Sequence, residues 1–251
     1  MLYSPGGRGP QRWTMTERSR SALARSASTL SIGPSALAWN GRWLEIEIDE
    51  VATPLPRRVE GRVRVHLPGL CRYNVALDAA GRHRWGPISA CARVEVEMRS
   101  PALRWQGSAY FDSNEGDEPI VTPFTRWDWL RAPLADGSTA VVYDVQPKAG
   151  PERVIAARFL PDGRAEPFEA APRRALPRSA WRVARALRSD ADAAAPRILR
   201  TLEDTPFYAR SLIDTTLCGE RVTAMHESIS LPRLDSAAVR MLLPWRMPRV
   251  T

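Results

Sequence analysis

Residues 36–49 read ALAWNGRWLEIEID, and this stretch decides the fold class. On both sides of Asn40 and Gly41, apolar and polar side chains alternate with a period of two, as in strands that bury one face. Asn-Gly is the dipeptide that two-residue hairpin turns favour, because such turns need residues that tolerate positive φ. The stretch therefore predicts an antiparallel hairpin.

The same alternation recurs along the chain, with Gly, Pro, Asn and Asp between the segments. The predicted strands are 58–67, 73–77, 92–98, 102–107 and 109–111, and then 138–145, 153–159, 165–169, 180–187, 198–202, 208–212 and 221–229. Short strands at this spacing are typical of an antiparallel sandwich or barrel. A break at 134–137 suggests two β-rich domains, 1–132 and 133–251.

Helical signals are few. Residues 17–28 fit either a short helix or a polar connector. Asp235 and Ser236 cap an apolar run, 237–243, which predicts a helix that ends at Pro244. We expect this helix to pack on the barrel, and contact with a membrane interface is the alternative.

Composition is that of a globular protein, with 44% hydrophobic and 25% charged residues and a net charge of +8. The arginines are spread evenly, which favours a solvated outer face over nucleic-acid binding and leaves weak attraction to anionic lipid as an alternative. No apolar run approaches the roughly 20 residues that span a bilayer, and the N-terminus lacks the apolar region of a signal peptide, so we expect a cytoplasmic protein. Cys71, Cys91 and Cys218 predict buried free thiols.

The segment 104–129, RWQGSAYFDSNEGDEPIVTPFTRWDW, is both acidic and aromatic. Asp112 lies beside Tyr110 and Phe111, and a carboxyl group in apolar surroundings stays protonated to higher pH, as an acid catalyst must. The alternative is a turn-capping or calcium-like acidic loop, although the spacing of an EF-hand is absent. At its end, Asp128 among Trp127, Trp129 and nearby arginines (Arg126, Arg131) fits either an ion pair that supports the Asp112 loop or a hinge between the halves.

Several longer motifs together resemble one family. They are RWTMTER (12–18), IGPSALAWNG (32–41), DEVATPLPRRVEGRVRV (49–65), GRHRWGPISA (81–90), YFDSNEGDEPI (110–120), FTRWDWLRA (124–132), LRTLEDTPFYARS (199–211) and MHESISLPRL (225–234). In these the sequence resembles the bacterial carotenoid 1,2-hydratases, or hydroxyneurosporene synthases, of the lipocalin-like hydratase superfamily. The resemblance implies two lipocalin-like domains and a cofactor-free lyase that adds water to the terminal C1–C2 double bond of acyclic carotenoids such as neurosporene and lycopene.

The resemblance also implies a His-x-Trp and a Tyr-x-Asp pair as functional residues, here His83 with Trp85 and Tyr110 with Asp112. In this chemistry Asp112 would protonate C2, and the aromatic faces of Trp85 and Tyr110 would stabilise the tertiary cation at C1. His83 would orient the attacking water or take its proton. No metal site is expected, because His66 and His226 lack ligand spacing with His83.

Two departures from the family pattern stand out. Relatives have an aromatic-rich segment upstream of the point where this chain begins, which suggests a misplaced start or a missing edge of the first domain. Relatives also carry a second Trp where this chain has Gly86. The expected partners are an acyclic carotenoid, water and the surface of the inner membrane, with no nucleic acid. A non-catalytic isoprenoid carrier and a related polyene cyclase are the alternative functions.

Overall fold

The computed structural model describes residues 2–3 and 12–250, and the chain divides into two compact units. The first unit comprises Met1–Leu67, Ala92–Ala109 and Arg240–Thr251, and the second comprises Pro68–Cys91 and Tyr110–Val239. These units do not coincide with the predicted domains 1–132 and 133–251, and that division stays a prediction.

The strands of the first unit are mostly paired antiparallel. They are β1 (Leu2–Tyr3), β2 (Arg12–Trp13), β3 (Glu17–Arg18), β4 (Leu23–Arg25), β5 (Thr29–Ile32), β6 (Ser35–Trp39), β7 (Trp43–Val51) and β8 (Arg58–His66), with a 3-10 turn at Arg20–Ala22. Strands β4 to β8 form a sheet in sequence order. Next along the chain come β9 (Val75–Ala76), β10 (His83–Ser100) and β11 (Ala102–Gly116), and residues 93–100 of β10 pair with β8.

The predicted hairpin is confirmed. Strands β6 and β7 pair antiparallel, with Trp39 opposite Leu44. Gly41 has a φ of +89°, which glycine adopts without steric cost. The Asn40 side-chain oxygen accepts the backbone N–H groups of Arg42 and Trp43 at 2.9 and 3.0 Å. The turn is therefore held by the side chain that the sequence places there.

The first unit buries one face of its sheet and exposes the other. Apolar side chains of β7, β8 and β10 form the core, among them Ile48, Val59, Val65, Val94 and Val96. The opposite face carries ion pairs between neighbouring strands, such as Arg64 with Glu45 at 3.0 Å and Arg62 with Glu97 at 3.3 Å. The arginines of this face lie on a solvated surface, as the sequence favours.

The second unit centres on a large antiparallel sheet. Its strands and those beside it are β12 (Phe124–Pro133), β13 (Thr139–Pro147), β14 (Arg153–Phe159), β15 (Ala165–Pro167), β16 (Arg173–Leu176), β17 (Arg185–Arg188), β18 (Arg197–Asp204), β19 (Tyr208–Leu217) and β20 (Glu220–Ser230). The sheet order is β15-β14-β13-β12-β20-β19-β18, and β16 pairs with β17. Each face of this sheet packs against its own buried apolar cluster.

Most strands of this unit agree with the predictions, with one exception. The predicted strand 180–187 is wrong for most of its length, since only its end belongs to β17. Arg182 has a φ of +61° and closes a turn with Ser179, which interrupts the extended chain. The break at 134–137 is a tight turn that connects β12 to β13, where Gly137 has a φ of +83°.

The C-terminal helix is confirmed, with a different end. It comprises α1 (Leu231–Leu234) and α2 (Ala237–Arg246), and β21 (Arg249–Val250) follows. Pro244 lies inside α2 and does not end it, since the Met247 N–H beyond it still bonds to the Leu243 carbonyl. Within the described part of the chain, none of the helices is both long and apolar enough to cross a bilayer. The three cysteines are free as predicted, but the prediction that they are buried is wrong, since Cys71 and Cys91 are half-buried and Cys218 is exposed.

Candidate active site

The four residues that the sequence singles out lie in the second unit, on two strands that each extend into the first unit. His83 and Trp85 lie on β10, and Tyr110 and Asp112 lie on β11. Residues two apart on a strand point to the same face, so each pair shares one side of its strand. Strand geometry alone therefore places both members of each pair on one face of the strand, whatever tertiary contacts the strand makes.

A hydrogen bond joins the two pairs. The indole Nε1–H of Trp85 donates to Oδ2 of Asp112 at 2.9 Å. Trp85 is only 1% exposed, and its ring makes edge contacts with Tyr143 and Tyr73 at centroid distances of 5.4 and 6.1 Å. The carboxyl group is thus held by a buried, closely packed donor at the edge of an aromatic cluster.

Near Asp112, one face of the large sheet presents a row of side chains. Tyr143 of β13 is opposite Trp129 of β12, Trp129 is opposite Glu227 of β20, and Glu227 is opposite Arg210 of β19. Directly opposite residues in antiparallel strands lie side by side on one face. The Tyr110 ring packs against Trp129 at 5.3 Å, which brings the predicted pairs onto this row.

The environment of Asp112 favours its neutral form. Burial raises the pKa of this carboxyl above its ordinary value, the Trp85 N–H opposes the rise, and the negative charge of Glu227 adds to it. A carboxyl group with a raised pKa keeps its proton nearer to neutral pH and can donate it to a substrate. Asp112 has the properties of a general acid in aromatic surroundings.

Two tyrosines beside Asp112 are held in their protonated form. Burial and the charge of Asp112 raise the pKa of Tyr110, and burial with the charges of Asp112 and Glu227 raises that of Tyr143. The Tyr110 hydroxyl also bonds to the Asp112 carboxyl group, so this tyrosine and Trp85 both contact the same carboxyl.

His83 is engaged on both sides of its ring. Nδ1 lies 3.1 Å from Oδ2 of Asp78, and Nε2 lies 3.0 Å from the carbonyl oxygen of Glu118. Both ring nitrogens are therefore occupied by contacts within the protein. Burial acts to raise the pKa of Asp78, but bonds from the backbone N–H groups of His83 and Arg82 and from the His83 ring outweigh it and leave the pKa lowered. His83 joins the start of β10 to the chain after β11.

Asp128 lies on the opposite face of the large sheet from Trp129. It bonds to Arg173 at 2.5 Å, to the Ala186 N–H at 3.2 Å and to the Ser228 hydroxyl. The expected buried Asp–Arg pair therefore exists, but with Arg173. It holds the β16–β17 hairpin, and the idea that it supports the Asp112 segment is wrong.

The acidic loop forms no metal site. Residues 112–116 continue strand β11, so their side chains alternate between two faces and cannot converge on one ion. Across the described residues, there is no group of three His, Cys, Asp or Glu side chains arranged to hold a metal ion.

Nothing in the sequence alone marks Tyr143 or Glu227 as members of the site. Glu227 lies in the motif MHESISLPRL, but nothing local marks it as facing Asp112, which is more than a hundred positions away. Only the pairing of β12 with β13 and β20 brings these side chains together. A reliable prediction of strand order would have been needed to find them.

The fold belongs to the lipocalin-like class. A crystal structure from Nitrosomonas europaea, described as an AttH protein, superposes with a TM-score of 0.54, covering 84% of this chain and 72% of that one. The sequences are only 13% identical, so the likeness concerns the fold. The predicted all-β, lipocalin-like architecture is confirmed.

Within that class, the chain belongs to the family described as carotenoid hydratase CrtC, whose model matches residues 2–251. It is 56% identical over 248 residues to an acyclic carotenoid 1,2-hydratase of Rubrivivax gelatinosus and 47% identical over 245 residues to one of Thiocapsa roseopersicina. These alignments cover 99% and 97% of this chain but 60% of each relative, so the chain spans about 60% of their length. A Cereibacter sphaeroides protein of the same name is 36% identical, with 98% of this chain and 86% of that protein covered.

Proposed function

We propose that this protein adds water across the terminal C1–C2 double bond of an acyclic carotenoid, such as neurosporene or lycopene, to give a tertiary 1-hydroxy carotenoid. The observation that carries this proposal is Asp112, a carboxyl group with a raised pKa, held by Trp85 in an aromatic interior. The relatives from Rubrivivax gelatinosus and Thiocapsa roseopersicina are named acyclic carotenoid 1,2-hydratases, which supports the same chemistry.

Asp112 is the acid in the proposed mechanism. Its proton passes to C2, the π bond breaks, and a tertiary cation is left at C1. The indole N–H of Trp85 stabilises the Asp112 carboxylate that remains. The aromatic faces of Trp85 and Tyr110 stabilise the cation without capturing it, at about 0.5–2 kcal/mol each. Water then attacks C1 and loses a proton.

His83 is proposed as a positioning residue. Its bonds to Asp78 and to the Glu118 carbonyl occupy both ring nitrogens, which leaves no free nitrogen to accept a proton from water. The same bonds fix the start of β10 and hence the place of Trp85 two residues later. The alternative, that His83 orients the water, requires one of these bonds to break.

The experiment is product analysis with lycopene and neurosporene. Wild-type protein is expected to form a product heavier by one water, whereas Asp112→Asn, which preserves size and can still accept the Trp85 bond, is expected to form none. Asp117→Asn is the matched control, because Asp117 is an exposed carboxylate in the same acidic segment. A folded wild-type protein that forms no hydroxylated product would remove the hydratase proposal and favour a carrier.

A further part of the proposal is attachment to the cytoplasmic surface of the membrane that holds the substrate. Helix α2 exposes large apolar side chains, Met241, Leu242 and Trp245, the first 71% and the last 75% exposed, beside basic Arg240. Apolar side chains next to arginine suit the interface of an anionic bilayer. Cosedimentation with phosphatidylglycerol vesicles tests this, with Trp245→Ser expected to weaken binding and with unchanged binding as the contrary result.

A further inference from the structure

Glu227 occupies a central place in the candidate site that the mechanism above does not use. It lies on β20 between Trp129 and Arg210, both direct neighbours across the sheet. Its side chain is 23% exposed, so it is largely enclosed but within reach of water. A carboxylate at this depth needs a partner or a function.

Arg210 is the partner of Glu227. Its Nε–H donates to Oε1 of Glu227 at 2.8 Å, and its guanidinium carbon lies 5.6 Å from the centroid of the Tyr208 ring. Charge-assisted bonds of this kind are stronger than bonds between neutral groups. Glu227 is thus held by an arginine beside the aromatic interior.

Glu227 and Asp112 act on each other across this interior. The negative charge of Glu227 raises the pKa of Asp112, after burial and against the Trp85 bond, and it also raises that of Tyr143. The two carboxyl groups therefore have opposite partners, an uncharged indole for Asp112 and an arginine for Glu227. Two carboxyl groups held by different partners in one site are the usual arrangement for an acid and a base.

We propose that Glu227 is the general base, which accepts the proton of the water that attacks C1; this inference rests on the hydratase function proposed above. The first proton moves from Asp112 to C2. A lone pair of the water oxygen then forms the C1–O bond, and one O–H bond of that water breaks with its proton going to Glu227. The substrate gains one water, the protein has moved one proton from Asp112 to Glu227, and exchange with solvent restores both groups.

Other groups are less suited to this step. His83 bonds Asp78 and the Glu118 carbonyl through both nitrogens. Tyr110 and Tyr143 have raised pKa values and hold their own protons. Asp112 has just delivered its proton at C2 and is bonded to Trp85. Among the described residues, Glu227 is the carboxyl group whose charge acts directly on Asp112.

The test compares two glutamates that both flank Arg210. Glu203 of β18 is opposite Arg210 on the side away from Glu227. Glu227→Gln is expected to lower the hydration rate by roughly 10²-fold or more, as for loss of a general base. Glu203→Gln removes the same charge from the same arginine and is expected to change the rate by no more than about fivefold. Equal effects of the two substitutions would overturn the proposal.

Chemical rescue separates a base from a structural carboxylate. Sodium formate supplies a small carboxylate, so it is expected to raise the rate of Glu227→Ala well above that in equal sodium chloride. It is expected to leave Asp112→Ala inactive. No gain from formate would overturn the role of Glu227. Wild-type protein that forms no product at all would instead refute the underlying hydratase function.

A purely electrostatic role is distinguished by pH. The charged and titratable groups that act on or face Glu227 are Asp112, Tyr143, Tyr208 and Arg210, with Glu203 beyond Arg210. If Glu227 only keeps Asp112 protonated, Glu227→Gln would recover its rate when the pH is lowered. A missing base is not replaced by a change of pH, so the absolute rate of Glu227→Gln then stays far below the maximum rate of the wild type as the pH is lowered, and recovery to that maximum would overturn the proposal.

Discussion

Trp85 donates its indole N–H to the carboxyl group of Asp112 across 2.9 Å, from a ring that is almost completely buried. This bond opposes burial and the charge of Glu227, both of which raise the pKa of Asp112. The proton affinity of Asp112 is therefore a balance that single substitutions can shift in either direction.

Trp85→Phe removes the donor and keeps an aromatic ring. Without the N–H the carboxylate is less stable, so the pKa of Asp112 rises further and the alkaline loss of hydration activity moves to higher pH. We also expect a rate lower by about tenfold, because Asp112 is less well oriented. Trp127→Phe is the control, since Trp127 packs on Phe124 and Tyr143 in the same core. The hydration rate measured against pH tests this prediction. An alkaline loss of activity at the same pH in Trp85→Phe as in the wild type would contradict it.

His83→Ala is expected to lower the free energy of unfolding by about 2–4 kcal/mol, because it leaves a cavity and strips Asp78 and the Glu118 carbonyl of their bonds. Arg82→Ala removes only an exposed ion pair to Glu118 and is expected to cost at most about 1 kcal/mol. Urea denaturation measures both. Lost activity with unchanged stability in His83→Ala would show that His83 takes part in the chemistry itself.

Gly86 permits a close approach of two backbone segments. A Cβ atom at this position would lie 2.0 Å from the carbonyl oxygen of Tyr73, so even alanine forces the chain at 73–74 to move. Gly86→Ala is expected to destabilise the protein by about 1–3 kcal/mol. A side chain as large as tryptophan is therefore incompatible with this backbone as it stands.

Gly107 provides the control for this prediction. It lies on β11, and a Cβ there would come no closer than 3.4 Å to the Trp105 side chain. Gly107→Ala is expected to leave the thermal denaturation midpoint within a few degrees of the wild type. Equal midpoints for the two alanine variants would show that the close approach at Gly86 costs nothing.

His226 makes stability depend on acid. It is buried, donates from Nε2 to the Ala186 carbonyl at 2.8 Å, and burial lowers its pKa to about 4. The unfolded chain takes up a proton near pH ~6.5 while the folded protein does not. The folded protein therefore loses stability as the pH falls from about 6.5 towards 4, by an amount on the order of 3 kcal/mol.

His226→Gln tests this pH dependence, because glutamine can donate to the same carbonyl but does not titrate. The difference in unfolding free energy between the wild type and this variant is expected to shrink as the pH falls through that range. Urea unfolding at several pH values measures it. A difference that is constant with pH would mean that His226 keeps its proton equally well in both states.

The local pattern of the chain was sufficient for several features. Alternation of apolar and polar residues predicts most strands, and Asn40 with Gly41 predicts the first hairpin. The spacing of two in His83–Trp85 and Tyr110–Asp112 determines that each pair shares a face, whatever the rest of the fold does. These features depend on backbone geometry over a few residues, which the sequence displays directly.

Tertiary structure alone decided how these faces meet. Strand order places Tyr143, Trp129 and Glu227 in one row, although they lie on three strands of which one is far along the chain. It also turns Asp128 away from that row and gives it Arg173 as partner. Strand order and register come from the burial of whole sheet faces, a sum over many distant contacts. No single motif reports that sum, so the sequence by itself determined most strands and the two residue pairs, and the packing of the sheet determined which side chains face Asp112.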